Sequence, residues 1–196
     1  MLTLITATGA RPEAWELCQH WMALQTYEGP VRWVIVDDGP EPQKIGFRRK
    51  GWYLEVVRPP ELWSGGNTQA RNLLIALNRA RGKVIVIEDD DAYLPGYLAD
   101  MDVALNDADL VGLSPSRYFN VKTGRGQVMK NLEHASLCST GMKGEALPVF
   151  REVLETCSRL IDVELWKRAR ARGVSTRLLD LPTCVGIKGL PGRPRS

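Results

Sequence analysis

The chain has 196 residues, 44% of them hydrophobic and 25% charged, with a net charge of +3. These are ordinary values for a globular domain long enough to bury a sizeable core. A net charge this small implies no partner by itself, and no apolar run approaches membrane-spanning length. Cys18, Cys138, Cys157 and Cys184 are widely spaced, form no C-x-x-C pair and have no histidine at zinc-ligand spacing. They read as buried free thiols in a reducing compartment. The N-terminus shows no basic region followed by a long apolar segment, so the expected location is the cytoplasm.

In chain order, Leu2–Thr6 reads as a first strand, followed by a turn at Ala7–Arg11 and a helix opened by Pro12. Ala14, Leu17, Cys18, Trp21 and Leu24 recur at helical spacing and predict its core face. Gly29-Pro30 stops that helix. Val31–Val36 and Tyr53–Val57 predict two further strands, the first ending in Asp37-Asp38-Gly39. After the Ser64–Asn67 turn, Ala70, Leu73, Leu74 and Leu77 predict a second helix, with Arg71 and Asn72 in its first turn and Gly82 as its stop. Val84-Ile85-Val86-Ile87 then reads as a strand buried on both faces. The resulting order, strand-helix-strand-strand-helix-strand, predicts an α/β domain with a mostly parallel sheet. In the second half, Arg117–Val121 and Gln127–Lys130 flank a turn at Lys122–Gly126 and predict an antiparallel hairpin. Pro148 opens a helix, and another follows Asp162 and ends at Gly173. Gly186–Pro194 is too rich in glycine and proline to predict regular structure.

The buried strand ends in Glu88-Asp89-Asp90-Asp91, with no basic residue among the four. Carboxylates crowded at a strand end repel unless a positive charge joins them. A hard divalent cation, Mg²⁺ or Mn²⁺, prefers such oxygen ligands. Ligands of open α/β sheets also collect beyond the carboxyl ends of strands. The alternative is a solvated acidic turn before Pro95-Gly96. Basic residues are dense late in the chain, at Arg151, Arg159, Lys167, Arg168, Arg170, Arg172 and Arg177, and again at Lys188, Arg193 and Arg195. That bias suits phosphate groups on a donor or on nucleic acid, although residues 167–172 read better as a solvated helix face.

Thr6-Ala7-Thr8-Gly9, Val36-Asp37-Asp38-Gly39, Gly66 with Ala70-Arg71-Asn72, Glu88-Asp89-Asp90-Asp91 and Asp162-Val163-Glu164-Leu165 occur in an order that resembles family 2 glycosyltransferases with the GT-A fold. Gly186-Ile187-Lys188-Gly189 resembles the C-terminal loop of small members. The resemblance implies one GT-A-like domain over residues 1–196, a Rossmann-like and mostly parallel central sheet flanked by helices. About 1–107 would be its nucleotide-sugar half, and about 108–196 its acceptor half with a C-terminal loop. It implies a nucleotide-diphosphate sugar donor, a UDP-sugar above all, and a divalent metal. Thr6, Ala7, Thr8 and Arg11 with Asp37 or Asp38 would hold base and ribose, and Asn67 and Arg71 would lie beside the nucleotide. An ion pair from Arg71 to Asp37 or Asp38 is the alternative for that arginine. The acidic motif matches either as Glu88-x-Asp90 or as Asp89-x-Asp91. The metal is assigned to Asp89 and Asp91, with Asp90 facing the ribose. Many relatives have a histidine in the late loop, whereas this chain has only His20 and His134. Lys188 and Arg193 are therefore candidates to neutralise the diphosphate.

The implied reaction is an inverting transfer to a hydroxyl, with Asp162 as general base. A helix N-cap is the alternative role for Asp162. A hydroxylated base in DNA, as in phage DNA glycosylation, is compatible as acceptor, and a soluble glycan or small molecule equally so. His134 reads as structural, or on the acceptor side if functional. Trp63, Trp166 and Tyr118 read as core or rim. Competing functions are a nucleotidyltransferase, for which Thr6–Pro12 is a poor phosphate loop, and a nucleotide-sugar-binding module without chemistry.

Overall fold

The computed structural model describes residues 1–61, 63, 68–157 and 159–191. Its first half follows the predicted alternation: β1 (Leu2–Thr8), α1 (Pro12–Ala23), β2 (Val31–Asp37), β3 (Trp52–Val57), α2 (Thr68–Leu77) and β4 (Lys83–Val86). All seven residues of β1 are buried, because β1 lies between β2 and β4 with helices over both faces. The pairs β1–β2, β2–β3 and β1–β4 are parallel, so these strands finish on one edge of the sheet.

The second half completes this sheet and adds another. It contains β5 (Ala92–Tyr93), α3 (Tyr97–Asp107), β6 (Leu110–Leu113), β7 (Ser116–Asn120), β8 (Arg125–Met129), a single 3₁₀ turn at Leu137–Ser139, β9 (Thr140–Met142), α4 (Ala146–Thr156), α5 (Ile161–Ala171), β10 (Thr176–Leu179) and β11 (Cys184–Lys188). The seven-stranded sheet runs β10-β6-β9-β4-β1-β2-β3, and a four-stranded sheet runs β5-β11-β7-β8. Only β9 opposes its neighbours in the larger sheet: it is antiparallel to both β4 and β6, which makes those two parallel to each other. The expected hairpin is β7–β8.

Side chains alternate across the sheet and build two cores. Ile5, Ala7, Val34, Val36, Val84 and Val86 meet α2, α4 and α5 on one face. Leu2, Leu4, Trp33, Ile35 and Ile85 meet α1 and α3 on the other. Both cores draw on both halves of the chain. In the second core the Trp33 ring lies 5.4 Å from Trp15 and 5.3 Å from Phe47. Gln25 ties the end of α1 to the turn after β5. Its amide donates to Tyr93 O at 3.1 Å and Leu94 O at 3.0 Å, and its Oε1 accepts from Leu98 N–H.

Three local expectations change. The buried face of α1 is Ala14, Trp15, Cys18 and Met22, while Leu17 and Leu24 are exposed. The Trp15 indole N–H donates to Lys44 O at 2.9 Å, so the helix turns its Trp15 side inward. The fourth helix begins at Ala146, ahead of Pro148. Gly186 lies inside a regular strand rather than a loop: a Cβ there would come within 2.5 Å of the Tyr118 ring. Close approach of a ring, not chain freedom, accounts for that glycine.

Much of the late basic charge is engaged within the fold. Arg168 pairs with Glu152 and Glu164, Arg172 with Glu152, and Arg177 with Asp107. The four cysteines are free thiols. Among the described residues, no helix is long and apolar enough to cross a membrane.

Gly112 in β6 is the tightest point beneath α5. A Cβ there would stand 2.3 Å from Ala135 Cβ and 2.8 Å from Trp166 Cζ2. Gly112→Ala is expected to destabilise the protein by about 1–3 kcal/mol through overpacking. Urea unfolding would show this as a lower midpoint with an unchanged slope. An unchanged midpoint would contradict the packing described.

Candidate active site

β1, β2 and β4 end together, which brings Thr8, Asp37 and the 88–91 turn to one edge. The loop after β1 is tightly held. Ala10 has φ 53°, a left-handed conformation that costs a non-glycine residue energy. Gly9 approaches Asp38 so closely that a Cβ would lie 2.1 Å from Asp38 Oδ1. This path delivers Arg11 to the N-cap of α1, almost completely buried.

Arg11 supplies the cation missing from the acidic motif itself. Its Nη1 lies 3.3 Å from Asp89 Oδ1 and its Nη2 2.6 Å from Asp90 Oδ2. Thr8 Oγ1 donates to the other Asp89 oxygen at 2.7 Å. Asp89 is fully buried and faces back toward β1.

Asp91 faces the other way. The strand β5 begins just after it and pairs with β11 only through Cys184 and Val185. Past that point the Asp91 carboxylate takes the place of a strand: its Oδ1 accepts from Ile187 N–H at 2.7 Å. Among the described residues the second oxygen, Oδ2, is buried without a hydrogen-bond partner of ordinary geometry. Burial, then the charges of Glu88 and Asp90, push the Asp91 carboxyl well above the usual carboxylate range, while Lys188 and the Cys138 thiol pull the other way. Glu88, Asp91 and Cys138 each place one ligand atom within 4.8 Å of the others. Glu88 also accepts from Gln69 Nε2 at 2.7 Å. Lys188 ends β11 with its ammonium 5.2 Å from the centre of the Tyr118 ring. Its limited burial works against its charge, but Asp91, Glu88 and Asp90 outweigh this and raise its pKa.

Two tyrosines and two thiols form the floor. Tyr93 Oη accepts from Glu88 N–H at 2.8 Å, and Tyr97 Oη donates to Cys138 O at 3.2 Å. Burial pushes both phenols well above their ordinary pKa. Contact with the Cys184 thiol, 4.0 Å away, and then burial do the same to Cys138, so a protonated thiol faces the carboxylates. The chemistry of this group fits a divalent cation. Two carboxylates, one with a buried unpartnered oxygen, offer the hard oxygen ligands that Mg²⁺ or Mn²⁺ takes. The acidic motif thus divides, Asp89 and Asp90 toward Arg11 and Asp91 with Glu88 toward β11.

The Asp37-Asp38 pair divides as well. Asp37 is buried and fully used: Oδ1 accepts from Gly39 N–H, and Oδ2 accepts from Gln43 N–H and Arg58 Nη1. It shapes the loop after β2. Asp38 is half-buried, and among the described residues no hydrogen bond or ion pair holds its carboxylate. Sequence reasoning missed Arg58. The signal was a basic residue directly after the parallel neighbour β3, where strand ends converge.

Of the remaining candidates, Thr6 and Ala7 lie inside β1. Thr6 Oγ1 accepts from the Trp33 indole at 2.9 Å, and Ala7 packs in the core. Arg71 is exposed over the Trp63 ring, 5.3 Å from its centre. Among the described residues it makes no ion pair with Asp37 or Asp38. Trp63 Nε1 donates to the buried Asn72 at 2.7 Å. Asn67 and Arg193 lie outside the described residues. Asp162 does not cap α5: Leu160 occupies that position, and Asp162 Oδ1 accepts from the adjacent Val163 N–H. α5 leads down into β10, which is parallel to β6 and hence to β4. Its N-terminus, with Asp162, therefore rises to the edge that carries the acidic cluster. His134 is half-buried in the segment after β8, and Trp166 is core.

No protein-family model matches the chain, and no curated protein matches it in sequence. Solved structures do. TarS of S. aureus matches 95% of this chain at 15% identity with a TM-score of 0.68. TarS 1–349 in complex with UDP-GlcNAc matches 98% at 14% identity and 0.67, and its complex with UDP matches 95% at 14% and 0.66. The chain spans 36% of the length of TarS and 60% of its 1–349 form. At this identity the likeness establishes a common fold, and the GT-A-type architecture expected from the motif order is the one observed.

Removing Arg11 would take from the buried Asp89 the guanidinium that faces it. Arg11→Met is expected to cost roughly 3–5 kcal/mol in denaturant unfolding. Adding Asp89→Asn should recover part of that loss. A double variant as unstable as the sum of the two singles would show that the pair is not coupled.

Proposed function

We propose that this chain transfers a sugar, with inversion, from a UDP-sugar to a hydroxyl acceptor, as a member of the family 2 type of glycosyltransferase. The observation that carries the reading is the buried, unpartnered Asp91 oxygen beside Glu88 and Lys188, at the strand edge of a fold shared with TarS, which has been solved with UDP-GlcNAc and with UDP. A nucleotidyltransferase fits less well, since the one cation of the loop after β1, Arg11, is already held by Asp89 and Asp90.

In this reading the open carboxylate of Asp38 receives base or ribose donors, while Asp37 and Arg58 fix the loop that presents it. The acidic turn carries the metal on Asp91, with Glu88 as the second carboxylate in place of Asp89. When bound, Mn²⁺ or Mg²⁺ would offset the diphosphate charge. Lys188 lies where it can neutralise the leaving group. Asp162 takes the acceptor proton as the acceptor oxygen attacks the anomeric carbon. The bond to the diphosphate breaks on the opposite side, and its electron pair leaves with the phosphate oxygen. The donor is held mainly by residues up to about 107 and the acceptor by those beyond, with Lys188 crossing that division. A hydroxylated base in DNA is one acceptor that the exposed basic hairpin would suit.

Thermal unfolding with UDP-sugars and Mn²⁺ tests the donor. A cognate donor at about 100 times its Kd should add roughly 2.7 kcal/mol of stability. No shift with any UDP-sugar would contradict the reading. Asp162→Asn is expected to keep donor binding and lower turnover by on the order of 10²–10⁴-fold. Wild-type turnover in that variant would remove Asp162 from the chemistry.

A further inference from the structure

One face of the four-stranded sheet leads outward from the acidic cluster. Parallel pairing sets Gly186 beside Tyr118 and Lys188 beside Asn120. Antiparallel pairing sets Tyr118 opposite Gln127 and Asn120 opposite Arg125. Directly paired residues share a face, so Lys188, Asn120 and Arg125 form one row across three strands. Strands lie about 4.8 Å apart, which places Arg125 roughly 10 Å from Lys188 along that row. Lys188 stands at the carboxylates, and Arg125 stands at the outer edge.

A third cation joins them. Asn120 Oδ1 accepts from Lys122 N–H at 3.0 Å and Thr123 N–H at 3.2 Å, which fixes the hairpin turn. A Cβ on Gly189 would lie 3.0 Å from Lys122 Cγ, so the Lys122 stem crosses β11 just past Lys188. From Ser114 to Asn131 the chain holds Arg117, Lys122, Arg125 and Lys130 and no acidic residue. Arg117 is engaged with Asp180 at 2.9 Å. Among the described residues Lys122, Arg125 and Lys130 make no ion pair. All of β8 is exposed, as are Lys122 and Lys130, so among the described residues these charges offset no acidic group. Like charges kept on one exposed turn repel, and an anion relieves them.

We propose that Arg125, with Lys122, reads a phosphate group on the acceptor, about one sheet-width from the hydroxyl that takes the sugar. This rests on the sugar-transfer reading for the position of the hydroxyl. The guanidinium fork matches two phosphate oxygens, and the lysine adds a point charge. A phosphodiester chain lying along the row would meet Arg125 with one phosphate while a neighbouring unit enters beside Lys188. The phosphate itself is unchanged by the reaction.

Fluorescence anisotropy across a salt series tests the proposal. The probes are labelled inorganic polyphosphate, a short single-stranded oligodeoxynucleotide and polyglutamate of matched charge. The wild-type protein should bind both phosphate probes, with affinity falling as salt rises. Arg125→Gln should weaken both by on the order of tenfold and reduce the salt slope by about one. Arg125→Lys should keep the slope while losing part of the affinity. An oligonucleotide bound more tightly than polyphosphate identifies nucleic acid as the source of the phosphate; equal affinity identifies phosphate whatever carries it. Polyglutamate bound as tightly as polyphosphate, or an unchanged slope in Arg125→Gln, would overturn the proposal. UDP-sugar binding is measured on the same samples. Its loss in the wild type would sink the transferase reading, whereas its retention in Arg125→Gln separates the acceptor subsite from the donor site.

Discussion

Four acidic side chains in succession at the buried end of a strand repel one another, and the site is arranged around how that repulsion is offset. Arg11 takes up the inner half. It reaches Asp89 and Asp90 only because the loop after β1 accepts a left-handed Ala10 and a glycine pressed against Asp38. The outer half is offset by weaker means: a backbone N–H from Ile187 and the nearby ammonium of Lys188. Asp91 is left with one buried oxygen unpartnered and a carboxyl that resists ionisation. Polar groups left in that condition are costly to folding and are found where a ligand completes them.

The same division explains the shape of the second half. A carboxylate that substitutes for a strand can hold β11 at Ile187 only if β11 runs straight past it. One residue earlier the Tyr118 ring lies against Gly186, where a Cβ would come within 2.5 Å of it. The acidic edge of the larger sheet and the hairpin beyond it meet along β11, which pairs with β5 through Cys184 and Val185, donates from Ile187 N–H to Asp91, and pairs with β7 from Gly186 to Lys188. The hairpin carries exposed basic charge with no ion pair among the described residues at Lys122, Arg125 and Lys130, while Arg168 of α5 and Arg172 just after it are held by Glu152, and Arg168 by Glu164 as well.

The sequence made the first half legible because its central parallel strands, β1 and β2, lie buried between helices and are apolar on both faces. The acidic strand end, the Asp37-Asp38 pair and the hairpin were all visible as patterns. What was not visible depended on pairing partners distant in sequence. A three-residue strand such as Thr140–Met142 carries no periodicity, yet it fills the gap between β4 and β6. Glycine in Gly186-Ile187-Lys188 read as loop because nothing local reveals the Tyr118 ring. Arg58 and Cys138 reach the site through tertiary contact alone. The register of the acidic motif was open for the same reason: only the position of Arg11 distinguishes Asp89 from Asp91.

The division of the carboxylates is tested most directly by titrating Mn²⁺ in the presence of UDP against Glu88→Gln and Asp89→Asn, with folding checked by circular dichroism. The account predicts that Glu88→Gln loses Mn²⁺ affinity by on the order of 10–100-fold, while folded Asp89→Asn binds the ion nearly as the wild type does. Loss of the ion in Asp89→Asn with wild-type affinity in Glu88→Gln would contradict it.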